Sequence, residues 1–456
     1  MNRSFGVVLG ISFSITLFSI SSVSSAAPQI VGTKCVKAGS FRTAKNVKYQ
    51  CKKSAQGLRW VTISAKNSPT TTTTTTTTIT IPKSPKSVVS ALEIYVDINA
   101  CKLRDRSGQR ENLSFDQNPY RVRNTSPIKA LIFPIDFVDL VGEGKPSDYL
   151  QPIATGISDY FKAMSDGRSD IQWTIHPNFV RYFQPVADAE LGGRTNGGYA
   201  RFARNATELA RATLDISSYQ IVLFAPPKTT KRSQIAIGPA FVRDTPDGVN
   251  ATMLDGQSLD WQKPYLNMAH EILHLMGVSD LYNFNAANEA ASGLGGAFER
   301  QFVYMGVFDL MNYVGGAGLA LTAWNRWLTD LIGDSSMRCL PPTTTRTQLT
   351  PVEAEGGIKG AVIPLSQSQA IVIESRRALR YDSQLEKRSE GVLIYKVDTS
   401  IGSGSGPMRV IGKPGGDIWH RDAALKVGES RVVDGYTISV IETGTWGDVV
   451  EVSAGG

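Results

Sequence analysis

The sequence predicts an α+β protein with three parts. A small disulfide-closed module comes first, then a large domain with a mixed sheet and a motif-bearing helix, then a β-rich domain of sandwich type. Three observations carry this. Between Ile128 and Met276, apolar runs of strand length alternate with stretches of helical spacing. After Cys339 the apolar runs become short, β-branched and punctuated by turns. Ahead of both, a threonine run flanked by prolines sets apart a short basic segment containing two cysteines.

The first residues have the layout of an export signal. Arg3 precedes the apolar stretch "FGVVLGISFSITLFSI", and "SVSSAA" offers small residues for cleavage near Ala26 or Ala27. The expected segments are a signal peptide over 1–26, a basic cysteine-pair module over 28–66 and a Thr/Pro-rich linker over 67–90. The large domain then covers 91–340 and the β-rich domain 341–456. Export implies a secreted or surface-associated protein, and no later stretch is long and apolar enough to span a bilayer.

The formal charge of +7 is unevenly spread. Twelve Lys or Arg and no acidic residue precede Glu93, so 36 of the 48 basic residues face all 41 acidic ones from there on, a net of −5. The cationic segment suits an anionic cell-wall or surface polymer, or a solvated basic face without a partner. Nucleic acid is excluded as a partner, because the large domain is acidic and carries no binding motif. Four cysteines allow three pairings. Cys35–Cys51 closes a short loop within the small module, and Cys101–Cys339 then ties the start of the large domain to its end. An exported chain with an even cysteine count favours disulfides.

Within the large domain, "IKALIFPIDFVDL" reads as a buried strand that ends in acidic residues. Pro146 to Gly167 has helical spacing, with Ile157, Tyr160, Phe161 and Met164 on one face. "IQWTIHPNFVRYF" alternates as one strand, "NATELARATLDI" is a helix, and "YQIVLFAPP" is a strand stopped by prolines. "SQIAIGPAFV" is a weaker strand suited to a sheet edge. Beyond Cys339, "AVIPL", "QAIVIESRR", "EGVLIYKVD", "SRVVDGYTISVIE" and "DVVEVS" are the strand candidates.

"HEILHLMGVSDLY" holds two of the four histidines. Residues four apart share a helix face, so His270 and His274 can reach one ion. Glu271, one position round, is placed to act as general base and acid on a water. Leu266, Ala269, Leu273 and Met276 form an apolar stripe, and Gly277 permits the turn that ends the helix. That turn brings back Asp280 as third ligand, leaving the open fourth position of a catalytic zinc site. If Asp280 does not serve, Asp309 is next. A thiolate at Cys101 capping the ion is the rival to its disulfide. His176 and His420 read as structural histidines.

About thirty residues on, "MGVFDLMNY" resembles the methionine turn of metzincin-type zinc peptidases. That resemblance implies Met311 beneath the metal and a catalytic role for Tyr313. The chain as a whole, from Ile128 to Val452, resembles the immune inhibitor A family of secreted zinc metallopeptidases. "IKALIFPIDFVD", "ISDYFKAMSDGRSDIQW", "GVFDLMNY", "LTAWNRWLTDLIGD" and "QAIVIESRRALRYDSQLEKRSEGVLIYKVD" carry the likeness beside the histidine motif. It implies a zincin catalytic domain, a β-rich domain, Zn2+ as cofactor, structural Ca2+ as in many members, and protein or peptide substrates. No compact Asp-rich loop stands out for calcium. The sequence departs from the family at Asp166 and at Phe308, where tyrosine and tryptophan are usual. Two other functions remain compatible with the sequence: a surface-binding protein on a peptidase fold, and a hydrolase of cell-wall peptide crosslinks.

Overall fold

The structure is a computed structural model. It describes residues 33–36, 38, 40–44, 47–54, 57–62, 93–104, 112–115, 121–124, 127–189, 198–231, 234–235, 250–253, 259, 262–292 and 296–455. The export signal and the Thr/Pro linker lie outside the described residues, as does most of "SQIAIGPAFV". The chain divides into two compact units, residues 1–78 and 79–456. No helix among the described residues is long and apolar enough to cross a membrane.

The first unit is an antiparallel meander of β1 (Phe41–Ala44), β2 (Val47–Ser54) and β3 (Gly57–Thr62). Cys35 and Cys51 are bonded, as the sequence predicts. Backbone bonds from Cys35 N to Leu58 O and from Cys51 N to Ser40 O lace the cystine into the sheet. So few residues bury too little apolar surface to hold together alone, and the crosslink restricts the unfolded chain in compensation.

The second unit opens on β4 (Ile128–Asp136), followed by α1 (Ser147–Met164), β5 (Ile171–Ile175), β6 (Val180–Arg181), α2 (Gly198–Thr213), β7 (Ile221–Ala225), β8 (Asn250–Met253) and α3 (Pro264–Leu275). The sheet order is β5-β4-β7-β8, and β6 pairs with β4. Every residue of β4 except Lys129 is buried, the pattern of a strand covered on both faces. The sequence predicts a mixed sheet; among the described residues all its pairings are parallel. α1, between β4 and β5, and α2, between β6 and β7, return the chain to the end of the sheet it started from, so the strands they join run parallel. The single strand expected over 171–183 is two, because Pro177 lacks an N–H to continue the ladder and the chain turns there. The expected apolar face of α1 is fully buried. α1 lies close to α3: a methyl group on Gly156 would meet the Tyr265 ring at 2.5 Å.

Three short helices follow, α4 (Ala286–Ala291), α5 (Ala297–Gln301) and α6 (Ala323–Leu328). Then come β9 (Met337–Cys339), β10 (Thr345–Leu349), β11 (Gly360–Pro364), β12 (Gln369–Arg376), β13 (Gly391–Asp398), β14 (Met408–Val410), β15 (Ser430–Val433), β16 (Tyr436–Gly444) and β17 (Gly447–Ala454). They form two sheets, ordered β14-β13-β12-β11-β9 and β10-β17-β16-β15. The period-2 alternation divides the work of the first sheet. Ile371, Ile373, Val392 and Ile394 pack with Val440, Val450 and Val452 of the second sheet. Val372, Leu393 and Tyr395 join the core that contains α1, α3 and α6. Segments 91–340 and 341–456 therefore share one core. Cys101 is bonded to Cys339, tying residues 98–101 to β9 and excluding Cys101 as a metal-capping thiolate.

A buried ionic cluster reinforces this junction. Arg376, with no solvent exposure, donates to Glu374 at 2.6 Å, to Asp382 at 2.8 Å and to Ala320 O at 3.1 Å. The two carboxylates in turn accept the backbone N–H groups of Ala323, the first residue of α6, and of Ala320 just ahead of it. Glu353 lies beside them and accepts the N–H groups of Tyr381 and Asp382. Burial, and then the negative charge of Asp382, push its carboxyl up to about 8. The folded chain thus keeps this proton where the unfolded chain, with an ordinary value of 4.5, has lost it. That contribution is complete below 4.5 and disappears as pH rises to about 8. Urea unfolding of the wild type should accordingly show stability falling across that window, and Glu353→Gln should flatten the slope.

Candidate metal centre

The site is built on the end of α3. Pro264 begins the helix where its missing N–H costs no bond. Leu266, Ala269, Leu273 and Met276 are all buried and anchor the helix in the core. At the far end Gly277 N bonds to His274 O at 2.8 Å and Val278 N to Leu273 O at 3.0 Å. This paired 5→2 and 6→1 pattern is a Schellman termination. It needs a left-handed residue, and Gly277 has φ +96°. A side chain there would also meet Arg121 Nε at 2.0 Å.

The reversal brings three atoms together. His270 Nε2 lies 3.1 Å from Asp280 Oδ1, and His274 Nε2 lies 3.2 Å from the same oxygen. All three side chains are at most 10% exposed. The opposite ring nitrogens are held by backbone: His270 Nδ1 donates to Leu310 O at 3.2 Å, and His274 Nδ1 to Val278 O at 2.7 Å. A carbonyl can only accept, so each neutral imidazole carries its hydrogen on Nδ1. Both Nε2 lone pairs and a carboxylate oxygen then point at one another. Three acceptors crowded out of water need either two extra protons or a cation between them. Burial opposes the charged form of Asp280, but when the two Nε2 atoms carry protons, His274 and His270 outweigh it and hold the carboxyl well below the usual carboxylate range.

The donor set fits a divalent metal ion. Ligands of a tetrahedral zinc, each about 2.0–2.1 Å from the metal, stand roughly 3.3 Å apart. The observed 3.1 and 3.2 Å match that spacing. Glu271 also approaches: its ligand atom falls within 4.8 Å of those of His270 and His274, and its Oε2 is 3.9 Å from His274 Nε2. The set with Asp280 is the tighter one, and a carboxylate one residue round the helix suits a place beside the metal.

Asp309, the alternative ligand, is fully buried and otherwise engaged. It has φ +72°; its Oδ1 accepts from Met311 N at 2.9 Å, and its Oδ2 from Thr322 N at 2.8 Å and Asn325 Nδ2 at 3.0 Å. It shapes the turn on which Leu310 and Met311 sit. Met311 is buried, and its carbonyl accepts from Leu281 N at 3.1 Å, so this turn braces the centre through its backbone. The Tyr313 ring lies in an aromatic stack, 4.1 Å from Phe302 and 6.0 Å from Trp419, with no hydrogen bond to the three donors. His176 and His420 donate to the carbonyls of Asn178 and Val303.

Other contributors are not evident from the sequence. Ser403 Oγ accepts from Asp280 N at 2.9 Å, and Gly404 N donates to Asp280 O at 3.0 Å. The Tyr282 ring stacks 6.4 Å from His270. The only sequence signal for the first pair is the Gly/Ser alternation of "IGSGSG", 123 residues from Asp280.

No protein-family model matches this chain, and no curated protein matches it. The chemistry therefore rests on the site geometry.

Replacing Gly277 by alanine forces a left-handed L-residue and a contact with Arg121. Unfolding free energy should fall by about 1–2 kcal/mol, read by denaturant titration.

Proposed function

We propose that this chain is an exported zinc endopeptidase, with a zincin-like catalytic part and a β-sandwich, resembling the immune inhibitor A family. The observation that carries this reading is the approach of His270 Nε2 and His274 Nε2 to 3.1 and 3.2 Å from Asp280 Oδ1, with the Glu271 carboxylate beside them. Both cystines fit an extracellular location. Zinc in this position supplies a Lewis acid that makes water acidic near neutral pH and polarises a peptide carbonyl.

The chain's residues do the rest. His270 and His274 present Nε2 lone pairs because Leu310 and Val278 hold the Nδ1 hydrogens. Asp280 adds one negative charge to two neutral imidazoles, so these three donors alone would leave a bound divalent ion with one net positive charge. Glu271 takes the proton of the attacking water on its carboxylate and delivers it to the nitrogen of the departing amine. Burial of the three donors keeps their electrostatic interactions strong.

The secreted form should cleave casein in a chelator-sensitive manner. Glu271→Ala should retain zinc and fold while cleavage falls by about 10²–10⁴. A zinc-loaded wild type that leaves casein intact sinks the proposal, and cleavage of purified cell wall alone redirects it to crosslink hydrolysis.

Loss of a direct ligand should exceed the roughly 10–100-fold effect of an outer partner. Asp280→Ala should thus weaken zinc binding by more than about 100-fold in chelator competition. An unchanged affinity would instead make Glu271, whose ligand atom is within 4.8 Å of those of His270 and His274, the third ligand.

A further inference from the structure

A cavity of about 500 Å³ lies near α4, α5 and β14, lined by Glu289, Arg300, Tyr304, Arg409 and His420 among others. Arg409 is held in place before any ligand arrives. Its Nε donates to Gly406 O at 3.0 Å and its Nη2 to Ser405 O at 2.9 Å, and the guanidinium lies 4.2 Å from the Tyr304 ring centroid. Among the described residues it has no carboxylate partner, and its Nη1 donates to nothing. Arg300 is only partly neutralised: Nε stands 3.5 Å from Glu289 Oε2, buried and without a hydrogen bond. His420 adds no competing charge, since burial pushes its imidazole pKa down and Nε2 already donates to Val303 O at 2.7 Å. Two guanidinium groups thus face one carboxylate.

The cavity is wired to the metal centre. Asn283 N bonds to Gln301 O at 2.7 Å, next to Arg300. Asn283 is three residues past Asp280, a chain span of about 10 Å at most. From the other side, the segment that ends in Arg409 begins at Ser403, which holds Asp280 N. Both connections run to residues beside Asp280.

We propose that the cavity is a carboxylate subsite, taking an acidic side chain or the terminal carboxylate of the bound peptide. A planar carboxylate matches the unused N–H groups of a preorganised arginine fork and supplies the missing negative charge. The choice of a peptide as ligand rests on the endopeptidase reading.

Binding of fluorescent decapeptides to the zinc-loaded, full secreted Glu271→Gln protein tests this without turnover. One series carries Glu or Gln at each position in turn, and another a free or amidated C terminus. Peptides with the carboxylate in register should bind at least about tenfold tighter than their neutral twins. Arg409→Gln and Arg300→Gln should each bring that ratio towards one, and the series that responds identifies the source of the carboxylate. Arg300→Gln carries the test should Arg409→Gln fail to fold. A ratio of one at every position and terminus, or a ratio unchanged in the folded variants, overturns the proposal. Absence of casein cleavage by the wild type would count against the endopeptidase reading alone, because binding is read independently.

Discussion

Gly277 has φ +96°, and its N–H and that of Val278 close the last turn of α3 onto His274 and Leu273. Were the helix to continue, Asp280 would stand about 15 Å along the axis from His270, ten residues at 1.5 Å each. The reversal instead sets its carboxylate 3.1 Å from His270 and 3.2 Å from His274. The same turn supplies Val278 O, which fixes the His274 ring. One backbone conformation therefore controls both the third donor and the orientation of the second.

The imidazoles are aimed by backbone carbonyls. Leu310 O and Val278 O belong to segments held by further bonds: the Asp309 turn on one side and the helix termination on the other. Such partners hold each ring by its Nδ1 and leave both Nε2 atoms facing Asp280. The carboxylate of Asp309 serves this end by capping the turn and the start of α6.

The β-rich half takes part in the site. Its first sheet buries one face against the second sheet and the other against the core of α1, α3 and α6. Arg376, Glu374 and Asp382 lock that contact with hydrogen bonds to residues 320–323. The loop before β14 then reaches the candidate metal centre through Ser403 and Gly404, which bond to Asp280. A methyl group at Gly404 would meet the Phe284 ring at 2.1 Å, so the close approach depends on glycine. Truncation after β9 would remove both the brace on Asp280 and Arg409.

What is local was legible in the sequence. His270, Glu271 and His274 at helical spacing, the stripe from Leu266 to Met276 and the glycine turn before Asp280 all act within one or two turns of chain. The apolar face of α1 and the strands after Cys339 follow periodicity in the same way. Contacts across long separations came from the folded arrangement. It joined Ser403 to Asp280, made Asp309 a turn brace rather than a free donor, and set Tyr313 against Phe302 and Trp419. It made the described sheet parallel where a mixed one was expected, and broke 171–183 into two strands at Pro177. Periodicity reports which face of an element is apolar, whereas strand direction and side-chain neighbours depend on how distant elements share one core.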